Sequence, residues 1–117
     1  MVSSIHNSAS ALQAFSKQIH VSADNVANSL SRDFKKSRAV NSERVSGRVE
    51  SVITKIDTPG PLVEDPLNPT EDLMELSNTD IAEEFANQII AEQGFNANAK
   101  MISTYDETVG TLIDTIG

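Results

Sequence analysis

The fold is decided by Ser77–Gly117, SNTDIAEEFANQIIAEQGFNANAKMISTYDETVGTLIDTIG. Stepping alternately by four and three from Ile81 gives Ile81, Phe85, Gln88, Glu92, Phe95, Ala99, Ile102, Asp106, Val109, Ile113 and Ile116. Most of these positions are apolar. A stripe with a 3.5-residue period is the mark of a coiled-coil seam and predicts one long helix that needs a partner. Ser77 or Thr79 can cap it, Asp80 and Glu83 have capping-box spacing, and Asp80, Glu83 and Glu84 place negative charge at the positive end of the helix dipole. Gly94 and Gly110 each weaken the helix by about 1 kcal/mol relative to alanine, so it is not expected to stand alone.

The other end of the chain repeats the pattern. Ile5, Ala9, Leu12, Ser16, Ile19, Ala23, Val26 and Leu30 follow the same spacing, with Phe15 beside the stripe. The two stripes are natural partners, which predicts a mainly α protein whose long terminal helices pair as an antiparallel coiled coil. As an isolated peptide the first helix is expected to be largely disordered, because its composition does not offset the cost of nucleation. It should end near Asn28–Asp33, where Asn25, Asn28, Ser29 and Ser31 compete for backbone hydrogen bonds. Three segments result: a helix in 1–33, a basic linker with a short β-hairpin-like piece in 34–76, and a helix in 77–117.

Within the middle, Ser37–Ser46 reads as polar and irregular. Arg48–Asp57 (RVESVITKID) alternates and is the one clear strand. Thr58-Pro59-Gly60-Pro61 ends it, Leu62-Val63 can begin a short returning strand, and Asp65-Pro66 and Asn68-Pro69 enforce an extended connection.

The 117 residues are 38% hydrophobic and 4% aromatic. With two helices using most of the apolar side chains, nothing is expected to cover their outer faces. There is no tryptophan or cysteine, which excludes disulfides and thiolate metal sites. No apolar run has the length of a membrane span, and MVSSIHNSAS lacks the basic and apolar regions of a cleavable secretion signal. The net charge of −8 is uneven. Residues 32–55 carry Arg32, Lys35, Lys36, Arg38, Arg44, Arg48 and Lys55 against three acids, a net of +4, whereas residues 56–117 carry a net of −12. With only Phe34 to stack on bases, the basic stretch is expected to meet acidic protein surface rather than nucleic acid. His6 and His20 have no carboxylates at ligand spacing, no serine sits in a nucleophile elbow, and no glycine pattern cradles phosphate. No enzyme, metal site or cofactor is expected.

Several blocks carry a resemblance to the bacterial flagellar basal-body rod and hook (axial) protein family. They are the Ser77-Asn78-x-Asp80 opening, Glu84-Phe85, Gln93-Gly94-Phe95-x-Ala97-Asn98, the Ile102-Ser103-Thr104 that follows, and the closing Leu112-Ile113. Ser10-Ala11-Leu12 and Ala23-Asp24-Asn25-Val26-Ala27-Asn28 resemble that family's N-terminal signature. There the following turn is Ser/Thr-x-Gly-aromatic-Lys; here it is Ser31-Arg32-Asp33-Phe34-Lys35, with Asp33 at the glycine. The short middle, with Gly47-Arg48-Val49 and Val63–Pro69, is similar to the proximal-rod branch, rod protein C.

The resemblance implies a structural, non-enzymatic subunit, exported unfolded by the flagellar type III apparatus and assembled with itself and other rod proteins into the hollow shaft that spans the periplasm. It marks Ile5, Leu12, Phe15, Ile19, Val26, Phe85, Ile89, Phe95, Ile102, Val109 and Ile113 as apolar assembly contacts. Asn25, Asn28, Asn78 and Asn98 are marked as polar contacts at helix ends and between subunits. The competing expectation is a small helical adaptor or export-regulating protein that uses the same seam to bind a partner helix.

Overall fold

The computed structural model describes residues 2–70 and 73–117. Two helices dominate: α1, Val2–Ala27, and α2, Ile81–Ile116. They run antiparallel, because Asn25 and Ser22 of α1 meet Glu84 and Gln88 of α2 while Phe15 lies against Gly94. Between them come β1, Ser37–Glu43; β2, Val49–Lys55; β3, Leu62–Val63; and β4, Met74–Glu75. The molecule is a rod of 80 × 25 × 16 Å. None of its described helices is long and apolar enough to cross a membrane.

α2 starts where Asp80, in extended backbone, accepts hydrogen bonds from the N–H groups of Ala82 and Glu83 at 2.9 and 3.2 Å. The cap is therefore Asp80, not Ser77 or Thr79; those two bond to each other instead, Oγ to Oγ1 at 2.7 Å. α1 ends at Ala27. Asn28 donates back to the Asp24 carbonyl at 2.9 Å, and the Asn28 oxygen accepts from the Ser31 hydroxyl at 3.1 Å. The turn that follows keeps left-handed backbone at Asp33, with φ 55°.

The segment expected to be irregular, 37–46, forms strand β1 instead. Its alternation (SRAVNSE) is weak, and cross-strand pairing supplies what local propensity lacks. β1 pairs antiparallel with β2, from Ser37 opposite Lys55 to Glu43 opposite Val49. The loop between them closes through Arg44 N–H to the Arg48 carbonyl and Gly47 N–H to the Arg44 carbonyl, with Gly47 at φ 78°. A β-carbon there would be strained by that backbone and would meet the Asn7 side chain at 2.8 Å. Leu62-Val63 does form a strand, but its partner is Met74-Glu75.

The hairpin also corrects the expectation that nothing covers the helices. It lies along α1: Val49 N–H donates to the Ser10 hydroxyl at 3.0 Å, and the Gln18 amide donates to the Ala39 carbonyl at 3.4 Å. Fully buried apolar side chains remain few: Ala11, Ala14 and Ala91.

Candidate assembly interface

Where the helices meet, the buried side chains are small or polar. α1 buries Ser10, Ala11, Ala14, Ser22 and Asn25. α2 buries Glu84 and Ala91, and half-buries Gln88, Gly94, Asn98, Ala99, Ile102, Tyr105 and Val109. Of the apolar stripe expected on α2, Gln88, Ala99, Ile102 and Val109 turn inward. Ile81, Phe85, Glu92, Phe95, Asp106, Ile113 and Ile116 are exposed, and Glu84, Ala91, Asn98 and Tyr105, each one residue before an expected position, take their place. The helix is rotated by roughly 50° from the apolar-stripe orientation, about half the 100° step of one residue.

Specific contacts explain that rotation. The Ser22 hydroxyl donates to the Glu84 carbonyl at 3.0 Å and accepts from the Gln88 amide at 3.1 Å. Below them the Phe15 ring fills the space above Gly94; a β-carbon there would lie 2.8 Å from Cε2 and closer still to Cζ. The second glycine read as a weakness in the helix, Gly110, has nothing within 4 Å of the β-carbon position.

Two asparagines of the N- and C-terminal signatures tie the strands to the helices. Asn25 is completely buried. Its Nδ2 donates to the Ser37 carbonyl at 2.7 Å and to Glu84 Oε1 at 3.0 Å, and its Oδ1 accepts the Ser37 N–H at 2.9 Å. One side-chain amide thus satisfies both backbone groups of Ser37 on the side of β1 facing away from β2. Asn78 does the same work at the base of the hairpin. Its Oδ1 accepts the Lys36 N–H at 2.7 Å, and its Nδ2 donates to the carbonyls of Ile56 and Thr58 at 2.8 and 2.9 Å. Asn98 turns back on its own helix, donating to the Gly94 carbonyl at 2.8 Å. Each of the four expected polar residues therefore has partners within the chain.

The basic stretch likewise meets acids of its own chain. Lys36 and Arg38 both reach Glu83, at 2.6 and 3.0 Å; Lys35 pairs with Glu75, Arg44 with Glu50, and Arg32 with Asp65 at 3.7 Å. Hydrogen bonds from Lys36 and then Arg38 hold the Glu83 carboxyl below its ordinary value of 4.5. The Lys35 ammonium and the Gly60 N–H do the same for Glu75. Among the described residues, Lys17, Arg48, Lys55 and Lys100 have no ion-pair partner.

The expected apolar contacts fall into two groups. Ile5, Leu12, Phe15, Ile19, Val26, Ile102 and Val109 are half-buried; Phe85, Ile89, Phe95 and Ile113 are 52%, 61%, 36% and 63% exposed. The strands and the residues that lead into them bond to Ser10, Gln18 and Asn25 on α1 and to Glu83 on α2, and Gly47 lies against the Asn7 side chain, so the hairpin occupies one groove of the helix pair. At 3.6 residues per turn, Ile5, Leu12, Ile19 and Val26 on α1, and Ile81, Phe85 and Ile89 on α2, lie on the flanks turned away from the hairpin. On this side Phe85 and Ile89 are exposed and Ile5, Leu12, Ile19 and Val26 stay half-buried, so the pair carries an apolar trough along its length, with Ile81 at the end that meets the Thr58–Pro61 turn.

The residues that sequence reasoning missed at the helix contact are Ala11, Ala14, Ser22, Glu84 and Ala91. For Ala11, Ala14, Ser22 and Ala91 the signal was small size alone, and Glu84 was visible as a charge at the helix N-terminus. Among the described residues no group of three His, Asp or Glu side chains could hold a metal.

Residues 72–115 match the family described as flagellar basal body rod FlgEFG protein C-terminal. A 41-residue stretch, 35% of this chain, is 42% identical to the flagellar basal-body rod protein FlgG of Bacillus subtilis and covers 16% of it. At the same identity and length, the chain is similar to the flagellar hook protein FlgE of Borreliella burgdorferi, of which 9% is covered. The chain thus spans less than a fifth of either relative in the match. Both the matched segment and α2 contain the Asp80 cap, the Phe85 flank and the Gly94 contact with Phe15. Across residues 72–115, this chain is similar to the C-terminal segment of flagellar basal-body rod and hook proteins.

Proposed function

We propose that this protein is a structural subunit of the bacterial flagellar basal-body rod, of the short proximal type resembling rod protein C. In this reading it leaves the cytoplasm unfolded through the flagellar type III apparatus and assembles with itself and other rod proteins in the periplasm-spanning shaft. Its role is structural rather than catalytic. The observation that carries the reading is the open apolar trough on a helix whose sequence matches the rod and hook family. A face of this kind marks a protein contact, and packing it against neighbouring helix pairs gives a shaft that resists bending and twist. The assembly residues are Ile5, Leu12, Ile19, Val26, Phe85, Ile89 and Phe95 along the trough, with Ile113 on the exposed end of α2.

The small buried core supports a second part of the proposal. With three alanines as the buried apolar side chains among the described residues, the free chain has little to offset its conformational entropy, so the helices gain most of their stability on assembly. Amide exchange on the dilute chain tests this. Fast exchange across 12–26 and 85–109 is expected; strong protection without oligomers would support a self-standing helical adaptor instead.

Phe85→Asp places a charge on the trough without touching the α1–α2 contact. Motility should be lost while the subunit is still exported. Cells that swim normally with this substitution would remove the trough from the assembly surface.

A further inference from the structure

α2 outruns α1. The contacts Asn25–Glu84, Ser22–Gln88 and Phe15–Gly94 set the axial register. At 1.5 Å per residue, Val2 comes level with about residue 107. Residues 110–116 therefore extend roughly 14 Å beyond the pair. This projection is apolar, with Leu112, Ile113 and Ile116 exposed by 51%, 63% and 86%. Its one charge is acidic, Asp114; Asp106 and Glu107 add negative charge at its root, and no basic residue follows Lys100 in the sequence.

A surface of the opposite charge lies on the hairpin side of α1. A cleft of about 400 Å³ opens between α1 and the hairpin, lined by Gln13, Ala14, Lys17, Arg44, Arg48 and Val49 among others. Glu50, paired with Arg44, is the acid that lines it. Lys17 and Arg48 have no ion-pair partner among the described residues. Ala14 and Val49 give it an apolar floor.

We infer that the projection of α2, residues 110–116, docks in the Lys17–Arg44–Arg48 cleft of a second copy of this chain. The charge pairing selects the partner: Asp114, with Glu107 two helical turns before it at the root of the projection, meets Lys17 and Arg48 while Ile113 lies over Ala14 and Val49. A parallel copy shifted by roughly 25 Å along the rod axis brings projection and cleft to the same level. The two surfaces differ, so the contact is heterologous and repeats from copy to copy without closing. This inference rests on the assembly reading in taking a second copy as the partner, but it uses the hairpin side of the molecule rather than the trough.

Because the chain has no cysteine, disulfide trapping is a clean test. Purified Gln13→Cys and Ile113→Cys chains are mixed under oxidising conditions at low salt, at a concentration at which circular dichroism shows the helices formed. The mixed dimer should exceed either same-variant dimer at least tenfold, and a chain carrying both substitutions should form a ladder of multimers. Arg48→Glu should abolish the mixed dimer, and pairing it with Asp114→Lys on the other chain should restore it. Absence of the mixed dimer, dominance of same-variant dimers, or failure of the charge swap to restore it would overturn the docking. Recovery of the chain in purified basal bodies is scored separately. If the chain is absent there while the mixed dimer forms, the rod reading fails and this contact stands. If it is present but the two sites do not cross-link, the contact fails and the rod reading stands.

Discussion

Phe15 and Gly94 form a matched pair: the aromatic ring of one helix occupies the space that any side chain on the other would need. Gly94→Ala therefore sets two effects against each other. Alanine favours the helix by up to about 1 kcal/mol, but displacing a packed ring costs about 1–3 kcal/mol. The net expectation is destabilisation, read as a lower urea midpoint. Phe15→Leu in the same chain should recover part of the loss. Gly110→Ala is the control, since its surroundings are open; it should stabilise by up to about 1 kcal/mol.

Asp33 holds left-handed backbone at φ 55°, in the place where the resembled family has glycine. Its N–H donates to the Glu75 carbonyl at 2.9 Å, so the turn is docked and cannot relax freely. Asp33→Gly should stabilise by about 1 kcal/mol by removing the penalty of a left-handed non-glycine residue. Asp33→Ala should not. A thermal melt of the two variants under identical conditions checks the sign.

Asn25 is the most consequential polar residue of the pair. Asn25→Ala leaves the Ser37 N–H and carbonyl, and the buried Glu84 carboxylate, without this partner. Buried groups stranded in this way cost about 1–3 kcal/mol. Asn25→Asp should be worse, because it sets a second carboxylate against Glu84. Loss of protection at the Ser37 amide in hydrogen exchange would be the local signature. Unchanged exchange at Ser37 would contradict the geometry.

The pH dependence follows from Glu75 and Glu83. Both are held below their ordinary value, Glu75 by Lys35 and the Gly60 N–H, Glu83 by Lys36 and Arg38. A carboxylate whose pKa is lower in the folded state adds stability that is complete above the unfolded value. That stability is lost as the pH falls through the folded value. Folding should therefore weaken as the pH falls below the ordinary carboxylate value of 4.5. In Glu83→Gln the acid-dependent part should shrink. A melting temperature that does not change as the pH falls below that value would show that these pairs add nothing.

Much of the fold was legible because it rests on period. The stripes of Ile5–Val26 and Ile81–Ile116 place two long helices, and RVESVITKID places β2. The rotation of α2 was not legible, because it depends on hydrogen bonds between Ser22, Asn25, Glu84 and Gln88 that bring together residues about 60 positions apart. β1 was missed for a related reason. SRAVNSE has little strand character until Val49–Lys55 and the Asn25 amide supply its partners. Asn25, Asn28 and Asn78 stand out by motif position, but sequence does not say that the partners the structure gives them lie in the same chain. The apolar residues stood out by pattern alone, whereas the alanines and serines that the helices bury carry almost no pattern.

A contact made of small and polar residues also behaves differently under load from one made of leucines. An aliphatic coiled coil can slip by a heptad and recover similar packing. Here a slip of seven residues would bring Phe15 against Asn87 or Met101 in place of Gly94, and would part Ser22 from Gln88 and Asn25 from Glu84. The pair therefore has one register. Axial force on either helix meets directional bonds in shear, so the two slide together or separate, with no intermediate notch at which to stop.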